Sequence, residues 1–252
     1  MIDIKFNIDG LTTGDKRLDF GSENEISTLY RLLVERLNDL NMQLPQNLKE
    51  KYPNIDFPTS VDVKILMVDN NAFFQECFDN AVAKKLLGFF NLTNMKNILG
   101  PTDVPDEFII VVEADINNFN RIYEQYGKYL DITKEEMLNR YLITLTHEIS
   151  HAVEFIENSG GLTPFAVEEL FEKDLFEHEV DTCATGYGVS KYQQDYQGVN
   201  KDDDAQINDI MEDRVELKGQ ILYHQLNISS AELSNVLGEQ TINAKQKLKR
   251  TV

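Results

Sequence analysis

The segment His147-Glu148-Ile149-Ser150-His151 places two of the chain's four histidines four residues apart. On a helix, residues at that spacing share a face one turn apart, so both imidazoles can bind one tetrahedral zinc ion. Glu148 sits about 100° further around the helix than His147, beside the position such an ion leaves open. A carboxylate there can take a proton from water that the metal polarises. The pattern therefore points to metal-assisted hydrolysis, with His147 and His151 as ligands, Glu148 as general base and one Zn2+ per chain. Thr144-Leu145-Thr146 before the segment and Ala152-Val153 after it are uncharged, and no proline or glycine interrupts. These flanks suit a buried helix.

Catalytic zinc sites usually take three protein ligands. His178 and His224 remain, but a carboxylate is the better candidate. In Glu177-His178-Glu179-Val180-Asp181-Thr182-Cys183-Ala184, Glu177 and Asp181 share a helical face. Glu177 can ligate, while Asp181 accepts the N–H of a ligating histidine and fixes its tautomer. The segment falls on the next expected helix, beyond a Gly160-Gly161 reversal that can fold it back toward the first. Glu179 points about 200° away from Glu177, so both cannot face one ion. Glu179, Glu154, Glu168 and a histidine stay open as alternatives. Donors to a developing oxyanion are sought among His178, Tyr187, Tyr223 and His224. Cys183 reads as a small buried residue.

Other chemistries lack their residues. A di-iron carboxylate site needs a second Glu-x-x-His, and positions 221, 175 and 144 are Ile, Leu and Thr. The acidic run 200–212 resembles a calcium loop, but Ala205 and Met211 stand where Gly and Glu belong. Neither a G-x-S-x-G elbow nor a Walker loop is present.

The elements that must position these residues follow from periodicity. Residues 2–9 alternate as a strand. Ser22 with Glu25 forms a capping box for a helix to about residue 40. The stretch 41–60 contains Pro45, Pro53 and Pro58 and reads as a loop. Strand 61–69, a helix over 71–86 and a weak strand or hairpin over 88–99 come next. Residues 107–116, DEFIIVVEAD, form the strongest strand. Thr133 and Glu136 cap a helix from 134 to 158, stopped by Gly160 and Gly161. Thr163 caps another with Pro164 at its first position, breaking near Asp174 and continuing to about 190. A polar loop, a helix over 206–226 and a short helix opened by Ser229 and Glu232 complete the order. Strands precede helices, so one α+β domain is expected over 1–252. It has a strand-rich half (1–116), a helical half (117–240) and a basic tail (241–252) with Lys245, Lys247, Lys249 and Arg250. Residues 1–100 are expected to supply the first half of the sheet beneath the active helix.

With 252 residues the chain can bury a core unaided. Its 43 acids against 24 bases give a net charge of −19. Such a chain repels phosphates, so direct nucleic-acid binding is not expected. Cys77 and Cys183 cannot build a disulfide framework, and neither a membrane-spanning run nor a signal peptide is visible. A cytoplasmic protein is expected, with unknown oligomeric state. No internal repeat is evident.

HEISH followed by E-x-x-x-D-x-x-A resembles the gluzincin branch of zinc metallopeptidases. The ImmA/IrrE-like peptidases are the nearest in pattern, and the HtpX-like peptidases are similar. The resemblance covers about residues 107–190. It implies a zincin-like fold, His147, His151 and Glu177 as ligands, Glu148 as general base and Asp181 behind a ligand. It implies hydrolysis of protein or peptide substrates, with strand 107–116 at the cleft edge. Val180 replaces the alanine usual in those families, and the chain shows neither HtpX-type membrane helices nor a helix-turn-helix module. The alternative is an acidic, catalytically silent binding or inhibitor protein on the same scaffold, a nucleic-acid mimic for example.

Overall fold

The computed structural model describes residues 1–8, 24–68, 88–90, 106–127, 129–173 and 204–238. Strand β1 (Ile2–Asn7) alternates buried Ile2, Ile4 and Phe6 with exposed Asp3 and Lys5, as a strand with one covered face requires. Helix α1 (Glu25–Asp39) follows. Its cap is Asn24, whose side chain accepts from the Ile26 and Ser27 amides while Ser27 reaches back to the Asn24 N–H. The helix thus starts two residues later than a Ser22–Glu25 box would place it. Asn24 wins this role because its amide also donates to Ala114 O at 2.7 Å, tying the helix start to the sheet. At the other end Asn38 bonds both the N–H and the C=O of Phe6.

The stretch 41–60 is mostly loop, with a two-residue strand β2 (Gln43–Leu44) and a one-turn helix α2 (Leu48–Lys51). Strand β3 (Ser60–Val68), the short β4 (Gly88–Phe90) and β5 (Phe108–Glu113) complete a five-stranded mixed sheet in the order β2-β1-β3-β5-β4. β1, β3 and β5 are parallel, and β2 and β4 run antiparallel on the two edges. Every residue of β5 is buried, which fits its unbroken apolar run: a central strand is covered on both faces. The strong strand is therefore interior to the sheet. Among the described residues β4 stands at that edge, with Gly88 opposite Val112 and Phe90 opposite Ile110. The expected helix over 71–86 and the rest of 88–99 lie outside the described residues.

After β5 come helix α3 (Ile116–Ile122), capped by Asp115, and a π-helical turn (Tyr123–Gly127). Helix α4 (Lys134–Ser159) has the expected Thr133–Glu136 capping box and ends at Gly160, whose φ of 65° is the left-handed stop. Leu138, Leu142, Leu145, Ile149, Ala152 and Ile156 form its sheet-facing stripe. Phe155 packs its ring against Phe90 of β4 and Phe108 of β5. Helix α5 (Pro164–Glu172), helix α6 (Asp204–Leu226) and a short helix α7 (230–238), boxed by Ser229 and Glu232, finish the described chain. The molecule is α+β: α1 and α4 lie against the mixed sheet, and α6 packs on α4.

Candidate metal centre

Helix α4 presents three different faces to its surroundings. Counting about 100° per residue from His147, the apolar stripe lies near 180°, His151 and Glu154 lie within about 40° of His147, and Glu148 lies between at about 100°. The stripe faces the sheet, the histidines face α6, and Glu148 faces β4. Inside the turn joining the histidines, Ser150 donates to Thr146 O at 2.9 Å, so this buried hydroxyl is satisfied within the helix.

The two imidazoles meet at their tips. His147 Nε2 and His151 Nε2 are 3.1 Å apart, with the rings at 82° to each other. Glu212 of α6 completes the cluster: its carboxylate oxygens lie 3.2 Å from His147 Nε2 and 3.5 Å from His151 Nε2. Two ligand atoms bound to one tetrahedral zinc at 2.0–2.1 Å are separated by roughly 3.3 Å. The 3.1 Å between the two Nε2 atoms is close to that value; Glu212 meets the rings with different oxygens, Oε2 on His147 and Oε1 on His151, and one donor atom from each residue lies within 4.8 Å of the others, so the donor set fits a small divalent cation. Among the described residues, His147, His151 and Glu212 are the group that can hold a metal.

Glu216, one turn beyond Glu212, lies 3.3 Å from the buried Nδ1 of His147. That nitrogen is not aligned on any acceptor for a hydrogen bond, and the Glu216 carboxylate is the group placed to take its N–H. Glu212 and Glu216 thus stand on α6 at the four-residue spacing expected of Glu177 and Asp181, one carboxylate at the imidazole tips and one beside the Nδ1 of His147. Glu177, Asp181, Glu179, His178 and Tyr187 lie outside the described residues, as does the Glu168 side chain.

The electrostatics follow from this crowding. Hydrogen bonds with His147 and His151 hold the Glu212 carboxyl well below the usual carboxylate range, against a smaller opposing effect of burial. Burial pushes His147 down, but the bond to Glu212 and the charges of Glu148, Glu212 and Glu216 outweigh it, so its net direction is up. Glu148 is 7% exposed. Burial raises its carboxyl above the ordinary value, opposed by His151, by His147 and by the backbone N–H of Phe90; the charge of Glu212 adds to the rise.

Two glycines let the neighbouring elements come this close. A Cβ on Gly88 of β4 would stand 3.1 Å from Glu148 Cγ and 3.2 Å from Thr144 Cγ2. A Cβ on Gly219 of α6 would stand 3.0 Å from His147 Cα and 3.1 Å from its N.

The remaining sequence candidates are placed elsewhere. Glu154 is fully buried and engages cations: Arg214 Nη2 is 2.8 Å from one oxygen and Lys218 Nζ 3.1 Å from the other. The Arg214 contact is a pairing of charges without an aligned N–H, whereas Lys218 donates. Tyr223 donates its hydroxyl to Asn139 Oδ1 at 2.8 Å. Asn139 lies eight residues before His147, about 12 Å along the α4 axis, so that hydroxyl is held away from the cluster. His224 is exposed, its ring against Tyr223. Neither is brought to the imidazole pair.

Sequence reasoning missed Glu212, Glu216 and Gly219. The signal was present: the expected helix over 206–226 carries Glu212 and Glu216 at the same four-residue spacing weighed for 177 and 181. The chain matches no protein-family model, no curated protein and no solved structure.

Proposed function

We propose that this chain is a zinc-dependent metallopeptidase with a zincin-like fold, in which His147, His151 and Glu212 hold one Zn2+ and Glu148 is the general base. The observation that supports this most is the convergence of two Nε2 atoms, 3.1 Å apart, and one carboxylate within 4.8 Å of both, with a buried acid immediately beside them. Glu212 completes a three-donor set without recourse to Glu177. A bound zinc ion would polarise a carbonyl and bring the pKa of a water toward neutrality. The protein's own groups do the rest. Glu216 orients His147. Burial makes Glu148 a stronger base than an exposed glutamate, suited to accept a proton from water and return it to the leaving amine. The Phe90 N–H and the wall formed at Gly88 fix where that carboxylate points.

The substrate class is a protein or peptide. Among the described residues β4 is an edge strand directly beside Glu148, and an extended backbone can add to such an edge by main-chain hydrogen bonds. No helix among the described residues is long and apolar enough to cross a membrane.

The test is turnover of a peptide library by the wild-type chain and by Glu148→Gln, with zinc content measured on both. The expected outcome is stoichiometric zinc in both and at least a ~100-fold loss of turnover in the variant, the usual scale for removing a general base. Equal turnover removes Glu148 from the chemistry. Stoichiometric zinc without turnover by the wild type favours the silent binding protein.

A further inference from the structure

The proton and metal chemistry above makes no use of Glu154, yet it is a fully buried carboxylate two turns beyond His147 on the same face of α4. Both of its cationic partners come from α6, two and six residues after Glu212. Around α6, Arg214 and Lys218 stand about 200° and 240° from Glu212, while Glu216 stands about 40° from it. Buried Val215, Gly219 and Leu222 lie in the remaining arc, against α4. Helix α6 is therefore gripped on both flanks: acids to the imidazoles on one side, cations to Glu154 on the other.

A helix gripped on both flanks cannot roll about its axis. The side-chain tips of a helix lie about 5–6 Å from the axis, so a roll of about 20° moves the Glu212 carboxylate by about 2 Å. Metal ligands tolerate displacements of about 0.2 Å. The roll of α6 thus decides whether Glu212 reaches the imidazoles at all.

We propose that Glu154 is a positioning residue for the metal centre: through Arg214 and Lys218 it sets the roll of α6 that presents Glu212 to His147 and His151. This rests on Glu212 being a ligand. The ion pairs of Glu154 are with Arg214 and Lys218, so its charge acts on the far flank of the helix.

The experiment measures zinc dissociation constants by competition with a chromophoric chelator, on the full chain. The variants are Glu154→Gln, Glu212→Ala and the double substitution, and metal-free thermal midpoints are recorded alongside. Glu154→Gln is expected to weaken zinc binding about 10- to 100-fold, as loss of an outer partner does. In the Glu212→Ala background the same substitution is expected to cost nothing further, because its effect runs through Glu212. Unchanged affinity in Glu154→Gln, or losses that multiply in the double variant, overturns the proposal, even if the metal-free midpoint falls. If Glu212→Ala weakens binding and Glu154→Gln does not, the positioning role alone fails. If the wild type takes up no zinc, or Glu212→Ala binds as tightly as wild type, the metal centre itself is refuted and the positioning role with it. Should Glu154→Gln not fold, Lys218→Met, which removes one cation from a half-exposed site, enters the same cycle. A smaller loss is expected, and an unchanged constant overturns the proposal.

Discussion

Replacing Gly219 with alanine separates two opposed effects. In an exposed helix interior the change stabilises by roughly 1 kcal/mol, because alanine loses less backbone freedom than glycine. Here the added methyl meets His147 Cα at 3.0 Å, His147 N at 3.1 Å and Thr146 C at 3.3 Å. All three are backbone atoms in the middle of α4, anchored by the apolar stripe on its other side, and they cannot swing away. Helix α6 must move instead, by several tenths of an ångström, to restore ordinary contact. Overpacking of this kind costs about 1–3 kcal/mol, so the contact outweighs the propensity gain and the net effect is a loss of up to about 2 kcal/mol. At this chain length each kcal/mol corresponds to about 2–4 °C in Tm. Thermal unfolding of the metal-free protein reads the sign directly. Zinc affinity reads the second consequence, because moving α6 carries Glu212 and Glu216 away from the imidazoles. Gly238→Ala is the control: a Cβ there meets nothing within 4 Å, and zinc affinity should not change. A rise in Tm for Gly219→Ala with unchanged zinc affinity would refute the close approach of α6 to His147.

The other expectations concern the metal and the caps. Because the three donors come from α4 and α6, zinc at a thousandfold excess over its Kd should stabilise the fold by about 4 kcal/mol; calorimetry with and without a chelator checks this, and Glu212→Ala should lose most of the gain. Glu136 accepts from the Thr133 N–H, which lowers its pKa, so its contribution is full above the ordinary glutamate value and is lost as pH falls through the lowered one. The gap in Tm between wild type and Glu136→Gln should therefore narrow on acidification from neutrality, and a gap that widens would contradict the cap.

What the sequence makes legible is what lies within one element. The helix carrying His147 and His151 follows from its capping box, its stripe and its glycine stop, and the structure places its ends within a residue of expectation. The partner helix over 206–226 was equally visible. Which acid it turns toward the imidazoles was not. Glu177 and Glu212 both stand in E-x-x-x-[DE] spacing on expected helices, and spacing along one helix says nothing about which helix packs against which. Pairing is a long-range fact, and its local trace was Gly219, a residue that weakens a helix unless another backbone needs the space. The sheet edge was misassigned for a related reason. Continuous apolarity in β5 reports burial on two faces, and a strand so covered is a poor edge. The edge among the described residues, β4, is three residues long and carries little pattern of its own.

The distribution of charge ties these elements together. Around His147 and His151 the chain gathers Glu148, Glu212 and Glu216 without a lysine or arginine paired to any of them in the described contacts. The one further acid on that face, Glu154, is the one given two cations. The cost of the crowding is visible at Glu148, where burial, with the charge of Glu212 adding to it, pushes the carboxyl upward. A divalent ion held between the Nε2 atoms and Glu212 would offset that repulsion and draw the Glu148 carboxyl back down, in the same sense as the two imidazoles do. Neutralising Glu154 internally then has a physical rationale: a fourth free carboxylate would compete for the ion proposed for His147, His151 and Glu212, whereas one paired with Arg214 and Lys218 would not.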